Sequence, residues 1–254
     1  MTQPGYVAPA SPGWWVRTNR VGIAASSYHL VTTAFSSDIP TGGSTGTYGW
    51  SGVGSGASAQ IAIAGVNSST ANTVTIPTHA IGQIILLWVY RSNSNTTATK
   101  PSASGTVPAW VDVVNNTGTN TNSARIAYFV ATATNHTSGS WTNATGMIAV
   151  VMDHQNVSPI GGSAEAGGSN TTQSVAPSIT LSVSNGSSLI LHFFGSRNAT
   201  VDWLAAPTGY THVVNSGPLC MNVKNVSTTD GSCTQTHQSS GIAGYSGATV
   251  EVLD

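Results

Sequence analysis

Charge is what this sequence has least of. Only 6% of its 254 residues are Asp, Glu, Lys or Arg, against roughly a quarter in an ordinary soluble domain. Ser, Thr, Asn, Gly and Ala fill the gap, so the surface must be solvated by hydroxyls and amides instead of ions. Such a surface raises little electrostatic barrier to packing against a neighbour. The seven Lys and Arg are scattered (Arg17, Arg20, Arg91, Lys100, Arg125, Arg197 and Lys224). No basic stripe exists, which argues against a nucleic-acid partner.

Long apolar runs are also missing. The most hydrophobic stretch, Gln83–Arg91 (QIILLWVYR), is too short to span a bilayer, so no membrane partner is expected. Met1–Arg20 does not read as a signal peptide, because Pro4, Pro9 and Pro12 stand where an apolar segment belongs and no positive residues precede them. The expectation is a chain made in the cytoplasm whose composition nevertheless suits an extracellular surface. Cysteine is nearly absent. Cys220 and Cys233 enclose a short polar segment, and two readings stay open: a disulfide bridging a hairpin loop, or two reduced thiols. With only His237 nearby, the pair lacks a fourth ligand for zinc, and no cofactor is expected.

Catalytic constellations are missing too. Gly42-Gly43-Ser44-Thr45-Gly46 matches the G-x-S-x-G pattern, but a nucleophile elbow needs a strand before it and a helix after it, and this match sits in low-complexity sequence. The eight acidic residues do not pair along the chain. Asp112, Asp153, Glu165, Asp202 and Glu251 would have to converge in space to serve as the two carboxylates of a glycosidase. No D-x-D-x-D-G calcium loop appears. The seven His are dispersed, and His192, inside an apolar run, reads as a core or interface histidine. The chain is therefore not expected to be an enzyme.

What is present is strand signal. From Gln60 onward, segments of alternating or wholly apolar residues are bounded by Gly, Asn, Ser, Thr and Pro clusters. They are Gln60–Val66, Asn72–Ile76, Gln83–Arg91, Ala109–Asn115, Ala124–Ala133, Gly146–Met152, Ser178–Ser182, Leu189–Gly195, Gly209–Asn215 and Ala248–Leu253. No window shows helical periodicity. Gln83–Arg91, apolar on both faces, reads as a central strand covered on both sides.

That strand has a twin at Ser188–Ser196 (SLILHFFGS). Four matches keep their order along the chain: Val74–Ile76 with Ile179–Leu181, Ile84–Leu86 with Leu189–Leu191, Pro108–Asn115 with Pro207–Asn215, and Met147–Val151 with Ala248–Val252. Asp153–Ser163 is too short for a linker, so the two halves, about 60–160 and 161–254, are expected to share one core. The reading is an all-β protein, a jelly-roll or Ig-like β-sandwich over 59–254 with an internal pseudo-repeat.

Residues 1–58 carry no pattern able to build a core, yet they hold Tyr6, the knot Trp14-Trp15-Val16, and Trp50. Adjacent tryptophans are costly to leave in water. The expectation is an extended anchoring arm whose interface residues are Tyr6, Trp14, Trp15, Val16 and Trp50. Trp50, Trp110, Trp141, Trp203 and Tyr210 offer a second reading, a sugar-stacking platform. The recurrence of Trp110 and Tyr210 at equivalent turns argues instead for structural plugs at the sandwich ends.

The pattern from Gln60 to Asp254 resembles a β-sandwich family found in many phage virion proteins and some secreted bacterial proteins. The likeness rests on Ile76-Pro77, Gly82-Gln83-Ile84-Ile85, Pro108-Ala109-Trp110, Tyr128–Thr132, Trp141-Thr142, Asn156–Ile160 and the repeated turn Pro207-Thr208-Gly209-Tyr210. Ala109 departs from the glycine usual at that turn. The resemblance implies a non-enzymatic structural protein of a tailed-bacteriophage virion: a capsid decoration (cement) protein on the particle surface, synthesised in the host cytoplasm. Its partners would be the major capsid or other virion proteins, and a homo-oligomer is expected, a trimer being one of the states left open. The alternative is a tail-fibre or secreted module that binds a carbohydrate or receptor.

Overall fold

The structure is a computed structural model, and it describes residues 61–116, 122–153, 158–170, 172–224, 229–238 and 243–254. Tyr6, Trp14, Trp15, Val16 and Trp50, with the whole expected arm, lie outside the described residues. Among the described residues there are strands and no helix. In chain order the strands are β1 (Ile63–Ser69), β2 (Ile84–Ser92), β3 (Val111–Asn116), β4 (Asn122–Val130), β5 (Gly146–Met152), β6 (Ile160–Asn170), β7 (Gln173–Ala176), β8 (Leu189–Ser196), β9 (Asp202–Trp203), β10 (Tyr210–Ser216), β11 (Leu219–Lys224), β12 (Cys233–Gln238) and β13 (Ala243–Val252).

They form two five-stranded antiparallel sheets and a smaller three-stranded layer. The first sheet runs β1-β5-β2-β4-β3; the second, read from its far edge, runs β6-β13-β8-β11-β10. These orders are the same once β1 is matched with β6, β2 with β8, β3 with β10, β4 with β11 and β5 with β13. The expected central strands, β2 and β8, each lie in the middle of their sheet. Even the bulges agree: β3 skips Val113 between Asp112 and Val114, and β10 skips Val213 between His212 and Val214. Each such bulge adds one residue to the strand and sharpens its local twist.

The sheets pack face to face. β1 meets β10, β5 meets β11, β2 meets β8, β4 meets β13 and β3 meets β6. Exchanging the halves leaves this set of facing pairs unchanged, which is the self-complementary relationship of an isologous pair. Between the sheets, Ile84, Leu86, Trp88 and Tyr90 of β2 bury against Leu189, Leu191 and Phe193 of β8. Trp88 stacks on Tyr90 and Phe193, with ring centroids 5.7 and 5.8 Å apart. Gly195 makes room for this stack, because a Cβ there would stand 2.7 Å from ring atoms of both Trp88 and Tyr90.

The structure corrects the sequence reading in several places. The match of Met147–Val151 with Ala248–Val252 is out by one residue. Ile148, Val150 and Met152 point into the shared core, as do Ala248, Val250 and Val252, so the true partners are 148 with 248, 150 with 250 and 152 with 252. A slip of one residue exchanges the two faces of a strand. Val74–Ile76 and Ile179–Leu181 are not strands. Both run beside the equivalent edge strand: Thr75 O accepts from Asn67 Nδ2 of β1, and Thr180 O stands against Gly162 of β6. Strands β6, β7, β9, β11 and β12 fall where no strand was expected. β6 (IGGSAEAGGSN) carries almost no hydropathy contrast, and β12 (CTQTHQ) alternates, but with polar residues on its buried side.

Candidate functional site

The two halves part company on their outer faces. Over the first sheet that face is apolar: Ile85, Leu87, Val89, Ala127, Phe129, Met147, Ala149 and Val151 bury under Val74, Ile76, Trp110 and Trp141. Over the second sheet the cover is the three-stranded layer β7-β12-β9, with Phe194, Cys220, Cys233 and Trp203 among its apolar contacts.

One cross-strand row shows the divergence. In the first sheet, Asp112, Ala127, Leu87 and Ala149 lie side by side on β3, β4, β2 and β5. The equivalent row in the second sheet is His212, Asn222, His192 and Thr249 on β10, β11, β8 and β13. Three apolar positions have thus become an amide, an imidazole and a hydroxyl, and all three of these residues are 0% exposed. Burying polar groups costs free energy unless each finds a partner. Asn222 Nδ2 donates to Gln235 Oε1 of β12 at 2.8 Å, and Gln235 Nε2 donates in turn to the carbonyls of Leu204 (2.8 Å) and Thr236 (2.9 Å). Thr249 Oγ1 donates to Pro177 O. Its oxygen is left to accept from His192 Nδ1 at 3.0 Å. That assignment places the imidazole proton on Nδ1 and leaves His192 Nε2 a buried acceptor with no partner. Burial, reinforced by the charge of Lys224, drives His192 down to about 3, so the ring is neutral at physiological pH. It is the expected core histidine, but its hydrogen-bonding capacity is only half used.

Beside this row lie the two cysteines. His212 Nε2 is 2.9 Å from Cys220 Sγ. Cys220 Sγ is 3.9 Å from Asn222 Oδ1, and Cys233 Sγ is 3.8 Å from Asn222 Nδ2. Both thiols are buried and unbridged. They do not flank a hairpin loop: Cys220 stands on the five-stranded sheet and Cys233 on the layer above it. Burial, then the proximity of Cys233, pushes the Cys220 thiol well up, and burial pushes His212 down. The contact is therefore between neutral partners. A thiolate–imidazolium pair, the activated form of a cysteine nucleophile, is not favoured here. Burial also raises Cys233 to about 11 and Tyr210 to about 12.

Of the five acidic residues considered for a carboxylate pair, Asp202 is exposed on β9 and the other four are engaged individually. Asp112 pairs with Lys100 (3.1 Å) and Arg125 (3.7 Å). Asp153 accepts from Gln83 Nε2 at 2.8 Å, and Glu165 accepts from Ser246 Oγ at 2.5 Å. Glu251 is 0% exposed. Its carboxylate accepts from the backbone N–H of Ser182 (2.7 Å), Gly162 (2.9 Å) and Val183 (3.3 Å). Burial alone would raise its pKa, but these N–H groups outweigh it and hold the carboxyl below its usual range. Glu251 thereby ties the segment after Pro177 to the sheet. Among the described residues no group of three or more His, Cys, Asp or Glu is placed to hold a metal.

Three of the tryptophans considered for a sugar platform are interior. Trp110, Trp141 and Trp203 are buried. The indole N–H groups of Trp110 and Trp141 both donate to Ser138 O, at 3.1 and 3.0 Å, and Trp203 donates to Gly217 O at 2.9 Å. Tyr210 is half-buried and lies edge-on to His192, with centroids 5.2 Å apart. These residues act as plugs over the outer faces. The polar row itself went unread in the sequence; the alternation of β12, with Cys233, Gln235 and His237 buried and Thr234 and Thr236 turned outward, was the available signal.

Comparison with family models, with curated proteins and with solved structures finds no match.

Proposed function

We propose that this chain is a non-enzymatic structural protein of a tailed-bacteriophage virion, a capsid decoration protein whose sandwich is displayed on the particle and whose residues 1–58 anchor it. The observation that supports this reading is the self-sufficiency of residues 61–254. The inner faces of the two sheets cover each other. The outer face of the first is covered by its own connecting segments, and that of the second by β7-β12-β9. The apolar residues Tyr6, Trp14, Trp15, Val16 and Trp50 are then surplus to this core and suited to burial against a neighbouring capsid subunit. Extended backbone can add to that attachment by pairing with an edge strand. A sandwich with little charge, and with no His, Cys, Asp or Glu cluster for a metal among the described residues, suits a display and packing role.

The test is attachment. Full-length chain and a chain lacking residues 1–58 are incubated with undecorated capsids and separated by sedimentation. Co-sedimentation of the full chain alone is expected. Equal co-sedimentation of both overturns the anchoring role, and failure of both overturns the decoration role.

A further inference from the structure

We propose that Cys220 and Cys233 are a dithiol pair that closes to a disulfide across the boundary between the second five-stranded sheet and the layer over it, clamping β12 onto β11. The placement carries this. The sulfurs flank a single carboxamide, Asn222, at 3.9 and 3.8 Å, and both belong to the same buried cluster with Phe194 and Trp203. A change of χ1 rotamer carries a cysteine sulfur through about 3 Å, so side-chain rotation with a small movement of β12 can bring the sulfurs together. β12 has the weaker backbone pairing of the two strands. It is held by four paired residues on β7 and two on β9, whereas β11 is locked between β8 and β10.

With a small-molecule disulfide such as oxidised glutathione as oxidant, the chemistry balances in two exchanges. Opening of β12 exposes Cys233, whose thiolate attacks one sulfur of glutathione disulfide and releases one glutathione thiol. Cys220, its proton released to solvent through the same opening, then attacks Cys233 Sγ. The second glutathione leaves as thiolate and takes up a proton from solvent. One protein disulfide forms, and one glutathione disulfide is reduced to two thiols. The inference does not depend on the proposed virion role.

The test uses the full-length, folded, reduced chain, incubated with oxidised glutathione at about pH 8, quenched in acid and weighed intact. A mass loss of about 2 Da is expected. Trypsin cuts after Lys224, between the cysteines, so the peptides 198–224 and 225–254 should travel as one species until reduced. Closing so short a loop should raise the thermal midpoint by about 6 °C or more. In Cys220→Ser the resolving thiol is gone, and a glutathione adduct on Cys233 should persist; an unmodified Cys233 there overturns the order of attack. Should that variant not fold, the wild-type mass and peptide map still decide. An unchanged mass, a mixed glutathione adduct that persists in the wild type, or a bridge that forms only in denaturant overturns the proposal.

Discussion

Leu87 and His192 occupy the same place in two sheets of identical strand order. Each lies in the middle strand, on the outer face, between the equivalents Ala149 and Thr249 on one side and Ala127 and Asn222 on the other. The first sheet shows that an apolar row satisfies this architecture. The polar row of the second is therefore an elaboration that the fold does not require, and it can be dismantled one residue at a time. His192→Leu removes an acceptor that has no donor, so a stability change within about 1 kcal/mol of wild type, or a gain, is expected. Asn222→Ala instead strands Gln235 Oε1 in the interior and should cost about 1–3 kcal/mol. Urea midpoints of the two variants check the contrast; an equal loss in both would refute it.

Acid should weaken the fold through the same layer. His192 has its folded pKa lowered to about 3 by burial, and the pKa values of His212 and His237 are lowered in the same direction and chiefly for the same reason. A lowered histidine pKa means that the unfolded chain binds the extra proton. The stability held above the unfolded value near 6.5 is then lost as pH falls below it, by up to about 1.4 kcal/mol per pH unit for each such group. The Glu251 carboxyl, also lowered, contributes stability above its unfolded value and loses it as pH falls through the folded one, so its loss adds only at the acid end. Denaturation midpoints between about pH 7 and pH 4 should fall steadily, and His192→Leu should flatten that slope from about pH 6.5 down to about pH 4.

Glu251 is a buried anion satisfied chiefly by backbone N–H groups, with the Ser188 hydroxyl beside them. Glu251→Gln substitutes an amide that must turn one N–H-bearing side toward backbone N–H groups, and a cost of about 2–3 kcal/mol is expected. Glu251→Ala leaves the N–H groups of Gly162, Ser182 and Val183 without their acceptor and should cost more. Hydrogen exchange should show faster exchange at those three amides in the alanine variant; unchanged protection there would sink this account.

Gly195 sits where the two central strands cross. Its counterpart in the first sheet is Tyr90, so the pseudo-symmetry is broken by one large ring filling the space of both positions. Gly195→Ala drives a methyl into the rings of Trp88 and Tyr90 and should destabilise by about 1–3 kcal/mol. Equilibrium unfolding measures the loss, and a shift in native tryptophan emission would report the displaced Trp88.

Much of the frame was legible in the chain. Ile84–Tyr90 and Leu189–Phe194 read as central strands because burial on both faces leaves a continuous apolar run that nothing else explains. The bulged pair Pro108–Asn115 and Pro207–Asn215 was visible because its turn chemistry and its valines recur. Residues such as Gly161 and Gly162 of β6 gave no such signal: a Cβ on Gly161 would meet Glu251, and one on Gly162 would meet Thr180 O, constraints set by groups far along the chain.

The sequence by itself determined the class and the duplication, since strand periodicity and turn residues are local properties written into neighbouring positions. Tertiary structure alone decided the register of β5 against β13 as equivalents, and it alone assembled the polar row. His192, His212, Asn222, Gln235 and Thr249 are scattered over some sixty positions, and none shows an apolar alternation. His192 alone was marked as a core histidine by the apolar run around it; the others are accommodated because each finds its hydrogen-bonding partner on another element, and that pairing exists only once the sheets and their covering layer have come together.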